Sequence, residues 1–341
     1  MNVTALNAIA KAMVATGKGL IAMDESAPTI AKRFKKVGIE DNVDNRRAYR
    51  QLLLSTPNLS NYISGAILFD ETIRQTTSDG VPFAEYMNKL GMIPGIKVDR
   101  GVKDLAGFPG EGVTEGLDGL RERLTEYYAM GARFAKWRAT ISIGAGTPTP
   151  FCMDANAHAM ARYAALCQEA GIVPIVEPEV LIDGNHALEQ CYDASVPTLR
   201  ALFRALAEHR VAFEGTILKA SMVISGVVAP KRAGVDQVAD ATVRCLLDTV
   251  PASLPGVVFL SGGQGNEEAT AHLNAMNARH PKLPWPLTFS YSRALQSPVM
   301  ETWKGNAANA AAAQRQLQRR AKFNALAATG GYQPAMEKEA A

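Results

Sequence analysis

The chain has 341 residues, 47% apolar and 20% charged, the balance of a globular protein rather than a disordered one. A formal net charge of +3 is too small to argue for nucleic acid or any other polyanionic partner. Apolar stretches such as Met222–Pro230 and Val257–Leu260 are far shorter than the roughly 20 residues of a membrane span, and the first residues lack a secretion signal's apolar core, so a cytoplasmic location is expected.

Residues 1–13 alternate polar and apolar positions at helical spacing. Short β-prone runs then recur at Gly19–Met23, Ser64–Phe69, Gly95–Val98, Arg133–Trp137, Ile172–Val176, Gly215–Leu218, Val257–Leu260 and Leu287–Phe289. Amphipathic stretches separate them, among them Gly116–Met130, Asp154–Gln168, His186–His209, Asp236–Thr249 and Asn266–Arg279. Strand-then-helix alternation reads as parallel βα units, and eight such units close a barrel. An open doubly wound sheet is the competing reading, but it needs a domain boundary, and no Pro/Gly/Ser-rich linker or composition shift is present. The expected fold is therefore α/β, a single (β/α)8 TIM barrel spanning residues 1–341 with extra N-terminal and C-terminal helices. Asn306–Ala328, rich in Ala, Gln and Arg, reads as one long helix. Its Arg315, Arg319, Arg320 and Lys322 read as a solvated face or a subunit contact. The closing GGYQPAMEKEAA reads as frayed, so residues 306–341 are expected to be a helix and a flexible tail.

Cys152, Cys167, Cys191 and Cys245 lie far apart with no C-x-x-C pair, which suits free thiols in a reducing compartment. The five histidines (158, 186, 209, 272 and 280) form no ligand spacing with each other or with Cys and carboxylates. Neither a metal nor a cofactor is expected.

The informative feature is what ends the strands. A parallel barrel strand is buried on both faces and should be apolar. Here the strands run into Asp24, Lys97 with Asp99, Lys136 with Arg138, Glu177 with Glu179, Lys219, Ser261, and Ser290 followed by Arg293. Lys97, Lys136, Glu177, Lys219 and Ser261 are separated by 39, 41, 42 and 42 residues, one βα unit each time. The C-terminal ends of barrel strands form the active-site face, so these groups should converge on one mouth. Residues two apart in a strand point the same way, so Lys136 with Arg138 should face Glu177 with Glu179 as mutually paired charges. A purely structural ion-pair network is the bland alternative, but hydrophobic replacements usually serve stability at least as well.

Lys219, in Gly215-Thr-Ile-Leu-Lys219, is the candidate nucleophile rather than a lysine reaching into solvent. An amine attacks a carbonyl only when neutral; apolar walls and a second cation favour that form, and Lys136 would supply the cation. Expelling water from the resulting carbinolamine needs a carboxylic acid and then a base, roles that Glu177 and Glu179 can share. Asp24 could accept a hydroxyl proton during carbon–carbon cleavage, or simply cap the helix that begins near Pro28. Ser261-Gly262-Gly263-Gln264-Gly265 follows the seventh run and precedes a helix, where bare backbone N–H groups can meet an anion; it lacks the ending of a P-loop. With Ser290 and Arg293 it occupies the usual phosphate position of a barrel. Lys97, Arg138 and Arg33 leave positive charge for a second phosphate.

From about Gly17 to Gly331 the sequence resembles the class I fructose-bisphosphate aldolases. The stretches that carry the resemblance are GKGLIAMDES, NRRAYRQLLL, GIKVD, LAGFPGEGVTEGLDGL, FAKWR, GIVPIVEPEV, EGTILK, FLSGGQ and FSYSRAL. The resemblance implies reversible cleavage of fructose 1,6-bisphosphate to dihydroxyacetone phosphate and glyceraldehyde 3-phosphate, without metal, in glycolysis and gluconeogenesis. It casts Lys219 as the Schiff-base lysine, Glu177 as the proton donor and acceptor around it, and Asp24 as the group acting on the C4 hydroxyl. Lys136 and Glu179 would support imine chemistry. Ser261, Gly262, Gly263, Ser290, Arg293 and Arg33 would hold the ketose-end phosphate and substrate, and Lys97 with Arg138 the other end. It also implies a homo-oligomer, commonly a tetramer. Three departures stand out: Ser292 where the family usually has glycine, Ala220 where proline commonly follows the lysine, and no terminal tyrosine on a longer arm, which would slow enamine protonation or leave it to another group. Alternatives are another sugar phosphate (sedoheptulose 1,7-bisphosphate or a monophosphate) and a barrel scaffold with vestigial activity.

Overall fold

Period-two patterning explains how apolar strands end in charge. In the computed structural model, which describes residues 1–338, the strands are β1 (Gly19–Ala22), β2 (Ile63–Leu68), β3 (Ile93–Lys97), β4 (Val102–Asp104), β5 (Gly112–Thr114), β6 (Phe134–Ile141), β7 (Val173–Val180), β8 (Ile217–Ala220), β9 (Val257–Phe259) and β10 (Leu287–Tyr291). Eight of them close a parallel barrel in the order β1-β10-β9-β8-β7-β6-β3-β2, while β4 and β5 form a separate antiparallel hairpin. All eight sequence-read strands are present, shifted by a few residues at their ends.

The helices are α1 (Val3–Met13), α2 (Ala27–Lys36), α3 (Val43–Leu54), α4 (Asp70–Ile73), α5 (Phe83–Lys89), α6 (Leu120–Ala129), α7 (Pro150–Glu169), α8 (Leu188–Glu208), α9 (Val235–Thr249), α10 (Asn266–Arg279), α11 (Arg293–Trp303) and α12 (Ala310–Ala327). Helix α1 packs Leu6, Ala10 and Met13 against Phe134, Val173, Ile175 and Ile217, closing the N-terminal end of the barrel with apolar surface. The interior there is tightly filled. A Cβ on Gly95 would lie 2.2 Å from the Phe134 ring, so glycine makes room for that phenylalanine.

Going up each strand in steps of two, the inward positions change from apolar to charged. They run Phe134–Lys136–Arg138 on β6, Val173–Ile175–Glu177–Glu179 on β7, and Ile217–Lys219 on β8. The register sets Lys136 beside Ile175 and Arg138 beside Glu177, so the charges form the upper layers over a hydrophobic floor.

Two expectations for the C-terminal region need correction. Asn306–Ala328 is not a single helix: a 3-10 turn, Ala307–Asn309, precedes α12, and the Asn306 side chain accepts a hydrogen bond from the Ala308 N–H. Arg320 is not on a solvated face. It is 5% exposed, donates to the Asn266 carbonyl at 3.0 Å and pairs with Glu337. Tyr332 is 4% exposed, its N–H reaches Asn274 Oδ1 at 2.9 Å, and its hydroxyl reaches Glu337 Oε1 at 3.1 Å. Residues 339–341 of the expected tail lie outside the described residues.

Candidate active site

Four charged side chains form a continuous chain at the C-terminal mouth of the barrel. Lys219 Nζ lies 3.1 Å from Glu177 Oε1; Glu177 Oε2 lies 3.4 Å from Lys136 Nζ; Lys136 Nζ lies 2.7 Å from Asp24 Oδ2. Lys219 and Lys136 are each 4% exposed and Glu177 is 3% exposed. Lys219 therefore does not reach into solvent. Nor does Asp24 cap a helix: the N-cap of α2 is Ser26. Charges this deep persist only because they neutralise one another. The Lys219–Glu177 separation is also within reach of proton transfer.

The electrostatics of the two ends are clear in direction. Burial would lower the Lys136 pKa, but Asp24 and Glu177 outweigh it and hold the ammonium well above the usual lysine range. Burial would raise Asp24, but Lys136 and then Lys219 outweigh it and hold the carboxyl down to about 2. Asp24 is thus an anion at neutral pH, able to accept a proton. Since its folded pKa lies below the ordinary value of 3.8, its contribution to stability is present above that pH and lost as pH falls toward about 2. The unfolding free-energy gap between the parent and Asp24→Asn, on the order of 2 kcal/mol near neutrality, is expected to close across that acid window. Urea titrations at neutral and acid pH check this; a gap that does not narrow contradicts it.

Around this chain the mouth is basic. Arg138 pairs with Glu179, and Lys97 Nζ sits 2.6 Å from Asp99 Oδ1. Arg33 pairs with Glu25. Arg293, at the start of α11, has no ion-pair partner among the described residues; partial desolvation at the mouth and the nearby Arg33 guanidinium lower its pKa. The Ser290 hydroxyl is buried without a hydrogen-bond partner. Gly262 and Gly263 hold positive φ values of 55° and 103°, a conformation that glycine adopts without steric cost, and a Cβ on Gly263 would lie 3.5 Å from Arg293 Nη2. The loop, the orphan hydroxyl and the unpaired guanidinium thus meet just before the N-terminus of α10, as phosphate binding requires.

A cavity of about 410 Å³ is lined by every residue expected at the site except Gly263, which lies against Arg293 at its edge. Sequence reasoning passed over Ser26, Thr29, Lys32 and Lys36, which also line it. Their signal was present: Thr29, Lys32, Arg33 and Lys36 follow the i, i+3, i+4, i+7 spacing of one helix face. A second cleft of about 610 Å³ shares Ser26, Thr29, Lys97 and Arg138 with the first and extends toward Arg74, Arg100 and Arg123.

Residues 5–341 match the family model described as fructose-bisphosphate aldolase class-I. The chain belongs to the class I fructose-bisphosphate aldolases. It is 62% identical over 333 residues to a protein of Xanthomonas axonopodis pv. citri (strain 306) named "Probable fructose-bisphosphate aldolase class 1", covering 97% of this chain and 99% of that one. It is 51% identical over 330 residues to the fructose-bisphosphate aldolase of Dictyostelium discoideum, covering 96% and 92%. The fold superposes with a TM-score of 0.96 on a ternary co-crystal structure of fructose-bisphosphate aldolase from Plasmodium falciparum in complex with TRAP and a small molecule inhibitor, at 46% identity over 97% of this chain and 96% of that one.

Class I aldolases are metal-independent and act on a sugar phosphate, and the fold of this one is the expected barrel with added helices. Ala220, at the position where proline is common, closes β8 with its carbonyl accepting from the Leu260 N–H at 3.1 Å, so the strand continues regularly past the lysine. Ser292 supplies a hydroxyl that contacts both Arg33 and Glu25.

Proposed function

We propose that cleavage of fructose 1,6-bisphosphate proceeds through an imine on Lys219, with Glu177 as its proton shuttle. The observation that carries this reading is the 3.1 Å contact between Lys219 Nζ and Glu177 Oε1, buried at the mouth and closed off by cationic Lys136. Glu177 takes a proton from the amine, which adds to the C2 ketone, and returns it to the carbinolamine hydroxyl that leaves as water. Asp24, ionised at neutral pH, accepts the C4 hydroxyl proton as the C3–C4 bond breaks; the bonding electrons pass into the iminium to give an enamine and the free aldehyde. Protonation at C3 and hydrolysis release dihydroxyacetone phosphate and restore the amine. Lys136 stabilises negative charge as it shifts between Glu177 and Asp24, and Glu179 holds Arg138.

In this reading Ser261, Gly262, Gly263, Ser290, Arg293 and Arg33 bind the ketose-end phosphate, while Lys97 and Arg138 bind the far end. The chain acts as one barrel domain in the cytoplasm, supported by its 50% identity to a cytosolic fructose-bisphosphate aldolase of Arabidopsis thaliana. It assembles as a homo-oligomer, a tetramer by resemblance to the family. The adjoining 610 Å³ cleft favours one second reading, a longer substrate such as sedoheptulose 1,7-bisphosphate.

Steady-state kinetics in the presence of a chelator test both readings together. Undiminished cleavage, with kcat/KM for fructose 1,6-bisphosphate above that for a monophosphate or the seven-carbon bisphosphate, is expected. Loss of activity on chelation would contradict the imine route, and a preference for the longer sugar would move the substrate assignment.

A further inference from the structure

We propose that Ser292 is a positioning residue for the ketose-end phosphate, its hydroxyl fixing the Arg33 guanidinium beside Arg293. This inference rests on the reading of Arg33 as a phosphate ligand. The Ser292 Oγ accepts from Arg33 Nη1 at 3.0 Å and from Gln296 Nε2 at 3.2 Å, and donates to Glu25 Oε1 at 2.8 Å. The hydroxyl is thus engaged by the protein on both sides, donating to a buried carboxylate and accepting from a guanidinium.

Those groups belong to a buried frame. Glu25 Oε1 also takes the Arg33 Nη1 donor and a hydrogen bond from Gln296 Nε2 at 2.8 Å. Gln296, 1% exposed, is anchored by Tyr49, whose hydroxyl donates to Oε1 at 3.0 Å. Ser292 thereby ties the segment carrying Glu25 and Arg33 to the β10–α11 turn that carries Arg293, two segments more than 250 residues apart. Glu25 and Ser292 both hold Arg33 through Nη1, while its Nε and Nη2 have no partner among the described residues and remain for an anion. Arg33 and Arg293 line the same cavity and repel one another. A serine at this position, unlike a glycine, holds Arg33 against that repulsion before phosphate arrives, which lowers the ordering cost of binding.

The test compares Ser292→Ala with Ser292→Thr, which keeps the hydroxyl, using inorganic phosphate as a competitive inhibitor and fructose 1,6-bisphosphate as substrate. Ser292→Ala is expected to raise the phosphate Ki and the substrate KM by about ten-fold, as loss of a hydrogen bond to a charged group does, with kcat within about two-fold. Ser292→Thr should stay near the parent, and the alanine effect should vanish in an Arg33→Ala background. Unchanged Ki and KM in Ser292→Ala, while Arg33→Ala weakens phosphate binding, would overturn the brace alone. Unchanged binding in Arg33→Ala would overturn the phosphate role of Arg33 and the brace with it. A fall in kcat without a rise in KM would point to a role other than positioning and also contradicts the proposal.

Discussion

Replacing Lys219 with methionine is expected to reduce kcat by roughly 10⁵- to 10⁶-fold, the scale seen when a covalent nucleophile is removed. The barrel should remain folded. Methionine matches the unbranched length of the lysine stem, and the site is 4% exposed and walled by strand residues. Glu177, the carboxylate that loses a partner, keeps Lys136 at 3.4 Å, so no isolated buried anion results. Arg33, Arg293, Lys97 and Arg138 are untouched, so binding of the product phosphates should persist. A cleavage assay with a thermal melt alongside checks this. Retention of even a few per cent of kcat in a folded variant would remove Lys219 from the chemistry.

Glu177→Gln is the second large effect, with kcat expected to fall by about 10²- to 10⁴-fold, the range of a general acid–base group. Glutamine preserves shape and hydrogen-bonding atoms but neither charge nor the capacity to relay a proton. Glu177 is the one carboxylate in contact with both lysines among the described residues, which is why no neighbour replaces it. Asp24 touches Lys136 at 2.7 Å, and Glu179 is committed to Arg138. The KM should change little, because the groups proposed to bind the phosphates (Arg33, Ser261, Gly262, Ser290 and Arg293 at one end, Lys97 and Arg138 at the other) are other residues of the same cavity. A Glu177→Gln enzyme with near-parental kcat and an unchanged pH profile would contradict the assignment.

The charged layer was readable because the fold sets a strict rule and these strands break it. A parallel barrel strand should be apolar throughout, so Lys136, Glu177 and Lys219, repeating once per βα unit, had to converge at one end. Period two then placed Arg138 above Lys136 and Glu179 above Glu177, and the observed pairs follow that arithmetic. What the sequence did not yield depends on distant partners. The contact from Ser292 to Glu25 spans 267 residues and that from Gln296 spans 271, and no local pattern links them. Arg320 failed for the same reason. Its helix alone looks solvated, and its burial requires Glu337 and the first turn of α10. The break before α12 turned on one side chain, Asn306, competing for the backbone.

Reduction with borohydride in the presence of dihydroxyacetone phosphate tests the central claim most directly, because it converts a transient imine into a stable secondary amine at whichever lysine formed it. Peptide mass mapping should find the added three-carbon phosphate on Lys219 alone, and none in Lys219→Met. An adduct on Lys136 or Lys97, or no adduct from an enzyme that cleaves its substrate, would contradict the account.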